Sequence, residues 1–269
     1  MTFEFDGEKY RKASTHQKEW GNKIISEFRL RGDESILDLG CGDGALSAEL
    51  AALVPQGFVL GIDASQGMIK TAIKHQRSNL EFKIMDINEI DFKSEFDLVF
   101  SNATLHWVKD HGKLLNNVYN SLRDNGIVRF NFAAEGNCLN FFKVIKQVMD
   151  KEEFAAYFKE FDWPWYMPNI DEYKALLEQF PFKEKRVWEE NADRYFPDKK
   201  AMIKWIDQPS IVPILKYVDD NDKQEFRDTV VNQMIDATMQ KDGTCFETFR
   251  RINVYAKKQV ETKYNKEII

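Results

Sequence analysis

The amino-acid sequence predicts an α/β fold in which helices cover both faces of a doubly wound, mostly parallel sheet. Two observations support this prediction. Short apolar segments alternate with segments of helical spacing through the first half of the chain, and the first apolar segment runs into a glycine-rich turn. Strands that alternate with helices pair in parallel, because each helix carries the chain back across the sheet. The strands predicted in this half are 35–39, 58–62, 80–85, 96–100 and 127–132.

The helices between these strands follow from apolar spacing and from a capping residue. Apolar side chains from Trp20 to Phe28 recur on one face of a helix, and Leu46, Leu50 and Leu53 do the same after the glycine-rich turn. Ser65, which follows the second strand, is a typical N-cap residue. The predicted helices lie within 7–30, 46–53, 65–77 and 109–122, and residues 124–126 form a turn.

The sequence pattern changes after residue 134, where longer helical segments replace the regular alternation of short strands and helices. An aromatic loop at 162–168 separates two of them. Two further strands bring the sheet to seven, with helical insertions after strand five and before the last strand. The predicted elements are helices at 139–161, 171–179, 199–206 and 222–239, a sixth strand within 182–196 and a closing strand at 246–256.

Composition excludes several classes of protein. The net charge of -6 argues against a broad nucleic-acid-binding surface, which needs an excess of Lys and Arg. No apolar stretch approaches the roughly 20 residues that span a bilayer, and the N-terminus lacks the apolar core of a signal peptide. The three cysteines and four histidines form no CxxC, HxxxH or HExxH spacing, so we expect reduced thiols and no metal site. A cytoplasmic protein, monomeric or homodimeric, without a membrane or nucleic-acid partner is expected.

The turn after the first strand reads Asp38-x-Gly40-x-Gly42-x-Gly44. Glycines at a strand-to-helix turn let the backbone approach a ligand closely. The dinucleotide fingerprint is GxGxxG, whereas these glycines read GxGxG. A carboxylate beside the turn repels a pyrophosphate but suits the ammonium group of an amino acid.

Two more acidic residues follow the next two strands. Asp63 lies about 20 residues beyond the turn, where a carboxylate accepts hydrogen bonds from both ribose hydroxyls, and Asp86 is placed to accept from the amino group of adenine. Met68 and Ile87 are predicted to sandwich the ring. Three acids at successive strand ends describe a nucleoside with a cationic amino-acid tail, which is S-adenosylmethionine.

Together these motifs resemble the class I S-adenosylmethionine methyltransferases, which have a Rossmann-like fold. The resemblance covers residues 35–133, with ILDLGCGDG, VLGID, MDI and DLVFSNATLHWV as its motifs. It implies that Ser101, Asn102 and Ala103 line the methionine part of the cofactor. The predicted cofactor-binding residues are Asp38, Gly40, Cys41, Gly42, Gly44, Asp63, Ala64, Met68, Asp86, Ile87, Ser101, Asn102 and Ala103. On this basis 1–269 is a single domain, divided into an N-terminal helical cover (1–34), a cofactor-binding half (35–134), helical cap insertions around strand six (135–245) and a closing strand (246–257).

A narrower resemblance concerns the acceptor. SNATLHWVKDH is similar to the matching stretch of trans-aconitate, malonyl-carrier-protein and juvenile-hormone-acid methyltransferases, all of which methylate carboxylates. KWIDQPSIVPIL and FRRINVYAKK look most like the trans-aconitate group, and EKYRKASTHQKEWG more like the juvenile-hormone-acid type. The resemblance implies a small-molecule carboxyl O-methyltransferase that forms a methyl ester.

The candidate acceptor residues are aromatic, and the candidate catalytic residue is His106. A carboxylic acid is already ionised at pH 7 and needs no general base, whereas an amine or phenol acceptor would use His106. For an anionic acceptor Arg129, Arg194 and Lys204 are possible cations, and the sequence does not choose among them. Methylation of nitrogen or carbon, and a cofactor-binding protein without catalysis, remain alternatives. The predicted acceptor contacts are Trp107, Trp163, Trp165, Tyr166 and Trp205.

Overall fold

A computed structural model describes Glu4, Phe5, Gly7 and residues 15–259. Its central feature is a seven-stranded sheet in the order β3-β2-β1-β4-β5-β9-β6. The first five strands along the chain pair in parallel, whereas β9 runs antiparallel to both β5 and β6. The strands are β1 (Ser35–Leu39), β2 (Phe58–Asp63), β3 (Leu80–Ile84), β4 (Phe96–Asn102), β5 (Leu122–Ala133), β6 (Phe182–Asn191) and β9 (Arg250–Lys258); β7 (Arg194–Phe196) and β8 (Cys245–Glu247) form a separate two-stranded sheet.

Helices lie on both faces of the large sheet, as the alternating pattern predicts. Ser65 caps one of them, since its hydroxyl accepts from the Met68 amide, and Asn169 forms a capping box with Glu172 on another. The helices are α1 (Thr15–Ser26), α2 (Ala45–Leu53), α3 (Gln66–Ala72), α4 (His111–Ser121), α5 (Leu139–Met149), α6 (Ile170–Glu178), α7 (Lys199–Trp205), α8 (Val212–Leu215) and α9 (Lys223–Thr238). None of the helices in the described ranges combines the length and apolarity needed to cross a membrane.

The insertions beyond β5 pack into a core of their own. Apolar residues from α5, α7, α9 and the small sheet form one cluster, separate from the two clusters on the faces of the large sheet. Glu247 of β8 fixes the start of α5, because its carboxylate accepts from the amides of Asn140 and Phe141. The start of α5 is therefore held against the small sheet.

The structure departs from the predicted elements in four segments. The helix expected at 139–161 ends at Met149, after which the chain turns so that Phe154 packs edge-on against Phe226. Each of the two segments expected as one strand, 182–196 and 246–256, is divided into a strand of the large sheet and a strand of the small one. The turn at 124–126 falls inside β5, where the register with β4 is irregular and Asn125 has a φ of 62°.

The sheet reverses its winding direction between β1 and β4. These two strands lie side by side, but the helices that follow them run in opposite directions across the sheet, toward β2 and toward β5. The parallel register aligns the carboxyl end of β1 with those of β2 and β4. Leu39 lies opposite Ile62 of β2, and Asp38 lies opposite Phe100 of β4. Such a switch point leaves a crevice in which α/β proteins bind ligands.

Candidate functional site

A cavity of about 470 Å³ opens at this switch point. One part, the strand-end half, is lined by residues at the ends of β1, β2 and β4 and in the turn after β3: Gly40, Cys41, Gly42, Asp43, Asp63, Ala64, Met68, Asp86, Ile87, Asn102, Ala103 and Thr104. The other part, the aromatic half, is lined by residues from α1, the loops and the insertions: His16, Trp20, His106, Trp107, Cys138, Phe141, Phe142, Trp165, Trp205, Tyr217, Phe249 and Arg251.

The glycine turn of the strand-end half needs its glycines for two different reasons. Gly40 has a φ of +73°, and a Cβ there would lie 2.1 Å from Cγ2 of Thr104. Gly44 has a φ of +80°, and its Cβ would press on Phe82 and Ala72. Gly40 and Gly42 line the cavity, whereas Gly44 does not. Gly44 therefore permits close packing of α2 on the sheet, and Gly40 and Gly42 shape the cavity wall.

Two of the three predicted carboxylates line the cavity, and the third does not. Asp63 lines the cavity and accepts from the amides of Gly42 and Ser65, at 3.0 and 2.9 Å, while burial raises its pKa. Asp86 also lines the cavity, and its Oδ1 accepts from the backbone and side-chain amides of Asn88. Asp38 does not line it: its carboxylate accepts from Ser47 Oγ at 2.6 Å, and burial raises its pKa to about 7.

The end of β4 joins the strand-end half to α1. Asn102 Nδ2 donates to the backbone oxygen of Gln17 at 2.8 Å. The side-chain oxygens Asn102 Oδ1 and Gln17 Oε1 are buried without a hydrogen-bond partner among the described residues. Ser101, in contrast, faces the sheet, where its hydroxyl donates to the Leu39 carbonyl. Buried acceptors of this kind normally have a donor, so their place on the cavity wall indicates a ligand with N–H or O–H groups.

The aromatic half is built on a short turn, Leu105–Trp107, which follows β4. His111 fixes this turn, since its Nε2 lies 2.9 Å from the Leu105 carbonyl oxygen and its Nδ1 lies 3.0 Å from the Tyr173 hydroxyl. The aromatic loop docks on the turn through a hydrogen bond from the Tyr166 amide to the His106 carbonyl. The chain therefore brings the loop beside His106, although 59 residues separate His106 from Trp165.

Three of the five predicted aromatic contacts line the cavity: Trp107, Trp165 and Trp205. The rings of Trp107 and Trp165 are 5.4 Å apart. Tyr166 instead packs on His111 in the core of the sheet. Trp163 packs between Phe142 and Phe161, behind the ring of Trp165. The neighbours Pro164 and Trp165 both line the cavity, so tertiary contacts and not alternation along the loop explain this division.

Two histidines of the aromatic half are neutral at pH 7. Burial and the nearby Arg251 guanidinium lower the pKa of His106 to about 3. Burial, with Arg194 and Arg251, lowers the pKa of His16 to about 3. Within the described part of the chain, His106 Nδ1 and His16 Nε2 are buried without a hydrogen-bond partner. Both imidazoles can therefore exchange hydrogen bonds with a ligand, but neither retains a proton taken from one.

The buried arginine that lines the aromatic half is Arg251, which the sequence reasoning missed together with His16. Lys18 and Lys109 also line the cavity, where they form ion pairs with Asp43 and Asp162. Arg251 is 3% exposed, donates to the side-chain oxygen of Asn131, and lies over the ring of Trp20 at 4.4 Å. The three cations considered from the sequence lie elsewhere, since Arg129 lines a second cavity and neither Arg194 nor Lys204 lines the first. A sequence signal does exist, because the segments VRFNF and RINVY both alternate polar and apolar residues.

Comparison with known proteins identifies the family to which this site belongs. Residues 30–194 match the family model described as a methyltransferase domain. The chain belongs to this methyltransferase family. It is 31% identical over 88% of its length to an uncharacterized methyltransferase of Schizosaccharomyces pombe, of which it covers 91%, and 30% identical over 72% to a trans-aconitate 2-methyltransferase of Deinococcus radiodurans, of which it covers 75%.

Solved structures show the same fold. The methyltransferase superposes with a TM-score of 0.60 on phosphoethanolamine N-methyltransferase 2 of Haemonchus contortus, which was solved in complex with S-adenosyl-L-methionine. The two are 19% identical, and the alignment covers 94% of this chain and 57% of the other. The seven-stranded sheet and the matching family model confirm the predicted fold and the predicted enzyme class, and the methyl donor is S-adenosylmethionine as predicted.

Proposed function

We propose that this methyltransferase transfers its methyl group to a carboxylate oxygen of a small organic acid. The observation that carries the proposal is the state of His106 and His16 in the aromatic half. With pKa values of about 3, both are too weakly basic to deprotonate an amine or a phenol at neutral pH. A carboxylate needs no such base, because it is ionised at pH 7.

The proposed reaction conserves charge without a proton transfer. S-adenosylmethionine, when bound, supplies a methyl group on a positively charged sulfur. As a carboxylate oxygen forms a bond to that carbon, the carbon–sulfur bond breaks and its electrons return to sulfur. The products are a neutral ester and the thioether S-adenosylhomocysteine. The chain's task is to align the acceptor and exclude water, for which the rings of Trp107 and Trp165 provide an apolar wall.

We assign the cofactor to the strand-end half. Asp63 would accept from the ribose hydroxyls and Asp86 from the adenine amino group, with Met68 and Ile87 against the adenine ring. Asn102 Oδ1 and Gln17 Oε1, which have no donor among the described residues, suit the ammonium group of the methionine part. Asp38 lies behind this wall, so its carboxylate would support the glycine turn through Ser47 rather than contact the cofactor.

The relatives give separate support for a carboxylate acceptor. The Deinococcus radiodurans relative is named for methylation of trans-aconitate, a carboxylic acid. Among the described residues of the aromatic half, Arg251 supplies a positive charge for an anion.

The test is an acid panel with methyl-labelled S-adenosylmethionine. The purified protein is incubated with trans-aconitate, benzoate and decanoate, and the labelled products are treated with alkali. Methyl esters release labelled methanol, whereas N- and C-methyl groups resist hydrolysis. We expect alkali-labile label from at least one acid. An alkali-stable product, or turnover only with amines, would overturn the proposal.

The Asp63→Ala variant provides the control for this assay. It retains the aromatic half but lacks the carboxylate assigned to the ribose hydroxyls. Ester formation at a fixed, low concentration of the methyl donor should fall, and it should recover as that concentration is raised. Label that appears at the same rate in this variant would remove Asp63 from the cofactor site, and label that appears without protein would indicate non-enzymatic methylation.

A further inference from the structure

Three polar side chains of the aromatic half come from three separate elements of the fold. His16 lies on α1, His106 lies on the turn after β4, and Arg251 lies on β9. All three line the cavity. Arg251 is close enough to affect both histidines electrostatically. Elements that are far apart in the chain therefore place one guanidinium and two imidazoles at the same end of the cavity.

Arg251 is held in a fixed orientation. Its Nε and Nη2 donate to Asn131 Oδ1 at 2.9 and 2.7 Å, and Nη2 also lies 3.3 Å from the Asn131 carbonyl oxygen. The ring of Trp20 lies under the guanidinium. These bonds orient the guanidinium, which lines the cavity. Water screens the attraction between a carboxylate and a buried guanidinium less than it does at the protein surface.

Each of the two histidines has a buried ring nitrogen that can form a hydrogen bond with a ligand. Their buried nitrogens, His16 Nε2 and His106 Nδ1, have no partner among the described residues. A neutral imidazole N–H donates to a carboxylate oxygen, and buried polar nitrogens without partners are rare in folded proteins. The rings of Trp20 and Phe249 fix the plane of His16 by edge and tilted contacts at 5.0 and 5.3 Å.

We propose that Arg251, His16 and His106 form a carboxylate-binding subsite that holds the acceptor acid in place. The inference rests on the proposed function and assigns the residues that select the acceptor. The subsite adjoins the strand-end half, because Gln17, which follows His16, is bonded to Asn102 through its backbone oxygen. Esterification removes the negative charge, so the same subsite binds the acid more tightly than its methyl ester and favours release of the product.

The test measures binding of acids to the protein saturated with S-adenosylhomocysteine. Dissociation constants for benzoate, decanoate and trans-aconitate are measured by calorimetry at pH 7 beside those for benzamide, decanamide and trimethyl aconitate. We expect at least one acid to bind and its uncharged partner to bind at least tenfold more weakly. Arg251→Gln should weaken binding of that acid about 10- to 100-fold, as expected for loss of a charged hydrogen bond.

The matched control is Arg129→Gln. Arg129 is also a buried arginine, 5% exposed, and donates to an asparagine, Asn253, but it lines the second cavity. This variant should bind the acid as the wild type does. Affinity for S-adenosylhomocysteine should stay within twofold in both variants, which separates loss of the subsite from loss of the fold.

Two conservative variants keep the proposal testable if Arg251→Gln does not fold. Arg251→Lys retains the charge but not the planar donor pair, and His16→Phe retains the ring but not Nε2. Each should weaken acid binding at least threefold. Equal acid affinity in the wild type and these variants, or no acid that binds better than its uncharged partner, would overturn the inference.

The result also separates the inference from the proposed function. Esters that form at the same rate in the Arg251 variants would leave the function standing and remove the subsite. Acids that bind through Arg251 but yield no ester would leave the subsite standing and remove the function.

Discussion

The two halves of the cavity are built in opposite ways. The strand-end half draws its residues from turns that follow successive parallel strands, between Gly40 and Thr104. The aromatic half draws on α1, several loops, helices of the insertions and the last described strand, from His16 to Arg251. The half to which we assign the methyl donor is therefore built from local sequence, whereas the half to which we assign the acceptor depends on contacts between distant segments.

The largest effect is expected from a methyl group at the glycine turn. Gly40→Ala should weaken binding of S-adenosylhomocysteine more than 100-fold, because the new Cβ meets Thr104 at 2.1 Å and a φ of +73° disfavours any side chain. Calorimetry measures the affinity. Gly243→Ala is the control, since Gly243 has a similar φ of +86° but no atom lies within 4 Å of its added Cβ. Equal affinities in the two variants would show that the turn tolerates the clash.

The next largest effect is the pH dependence of folding stability, which should have opposite signs for the buried histidines and for Asp38 beneath the glycine turn. The pKa values of His16 and His106 are lowered to about 3 and that of His111 to about 4. The unfolded chain therefore binds more protons between about pH 3 and 6.5, and the stability that these neutral imidazoles contribute is lost as the pH falls below 6.5. At pH 5 the loss is about 2 kcal/mol for each histidine.

Asp38 has the opposite effect on stability. Because its pKa is raised to about 7, the stability that its protonated carboxyl contributes is lost as the pH rises toward 7. Denaturant unfolding without ligand should show a net loss of a few kcal/mol from pH 7 to pH 5. His16→Phe should reduce that loss, and Asp38→Asn should increase it. A stability that is constant over this range, in the wild type and both variants, would contradict the assignment.

A smaller effect is expected at the ribose contact. Asp63→Ala should weaken S-adenosylhomocysteine binding by about 1–3 kcal/mol, the usual effect of losing a buried charged hydrogen-bond acceptor. Asp97→Ala is matched to it, because Asp97 also accepts from a backbone amide, that of Ser35, but at the opposite edge of the sheet. Affinity should be unchanged in that variant. Unchanged affinity in Asp63→Ala would remove Asp63 from the cofactor site.

The smallest expected effect is on the KM for the acid, and it should differ between two tryptophans of the aromatic loop. Trp165 lines the cavity and Trp163 lies behind it. Trp165→Ala should raise the KM for the acid about tenfold through loss of apolar contact, with the KM for S-adenosylmethionine unchanged. Trp163→Ala should raise the acid KM less. If Trp163→Ala has the larger effect, the loop must present its other face to the acceptor.

The strand-end half is easier to locate from the sequence, because most of its residues follow a recognisable strand. Gly40, Asp63, Asp86 and Asn102 all lie on the cavity wall where strand ends place them. The sequence does not predict Arg251, because the alternation in its strand does not show that this charged residue is buried or that Asn131 orients it. Whether a tryptophan of the aromatic loop faces the cavity also depends on tertiary contacts, in particular the bond between Tyr166 and His106.

The fold shows the same contrast between local and distant information. Four of the five parallel strands lie within two residues of their predicted bounds, since each is defined by its own apolar segment, whereas β5 begins at Leu122, five residues before its predicted start. The segments that divide between two sheets, around Asp193 and Thr248, were predicted as continuous because each has strand-like residues on both sides of the break. The division is set by pairing with partners more than 50 residues away, such as Arg194 with Glu247.

The position of β9 in the sheet has a consequence for synthesis of the protein. It lies between β5 and β6, both of which leave the ribosome earlier. A nascent chain that has reached β5 contains every strand of the parallel core and every residue of the strand-end half. β6 has no neighbour in the large sheet until β9 emerges, and β9 also carries Arg251. The strand-end half can therefore assemble during translation before the aromatic half, which is completed only when β9 emerges.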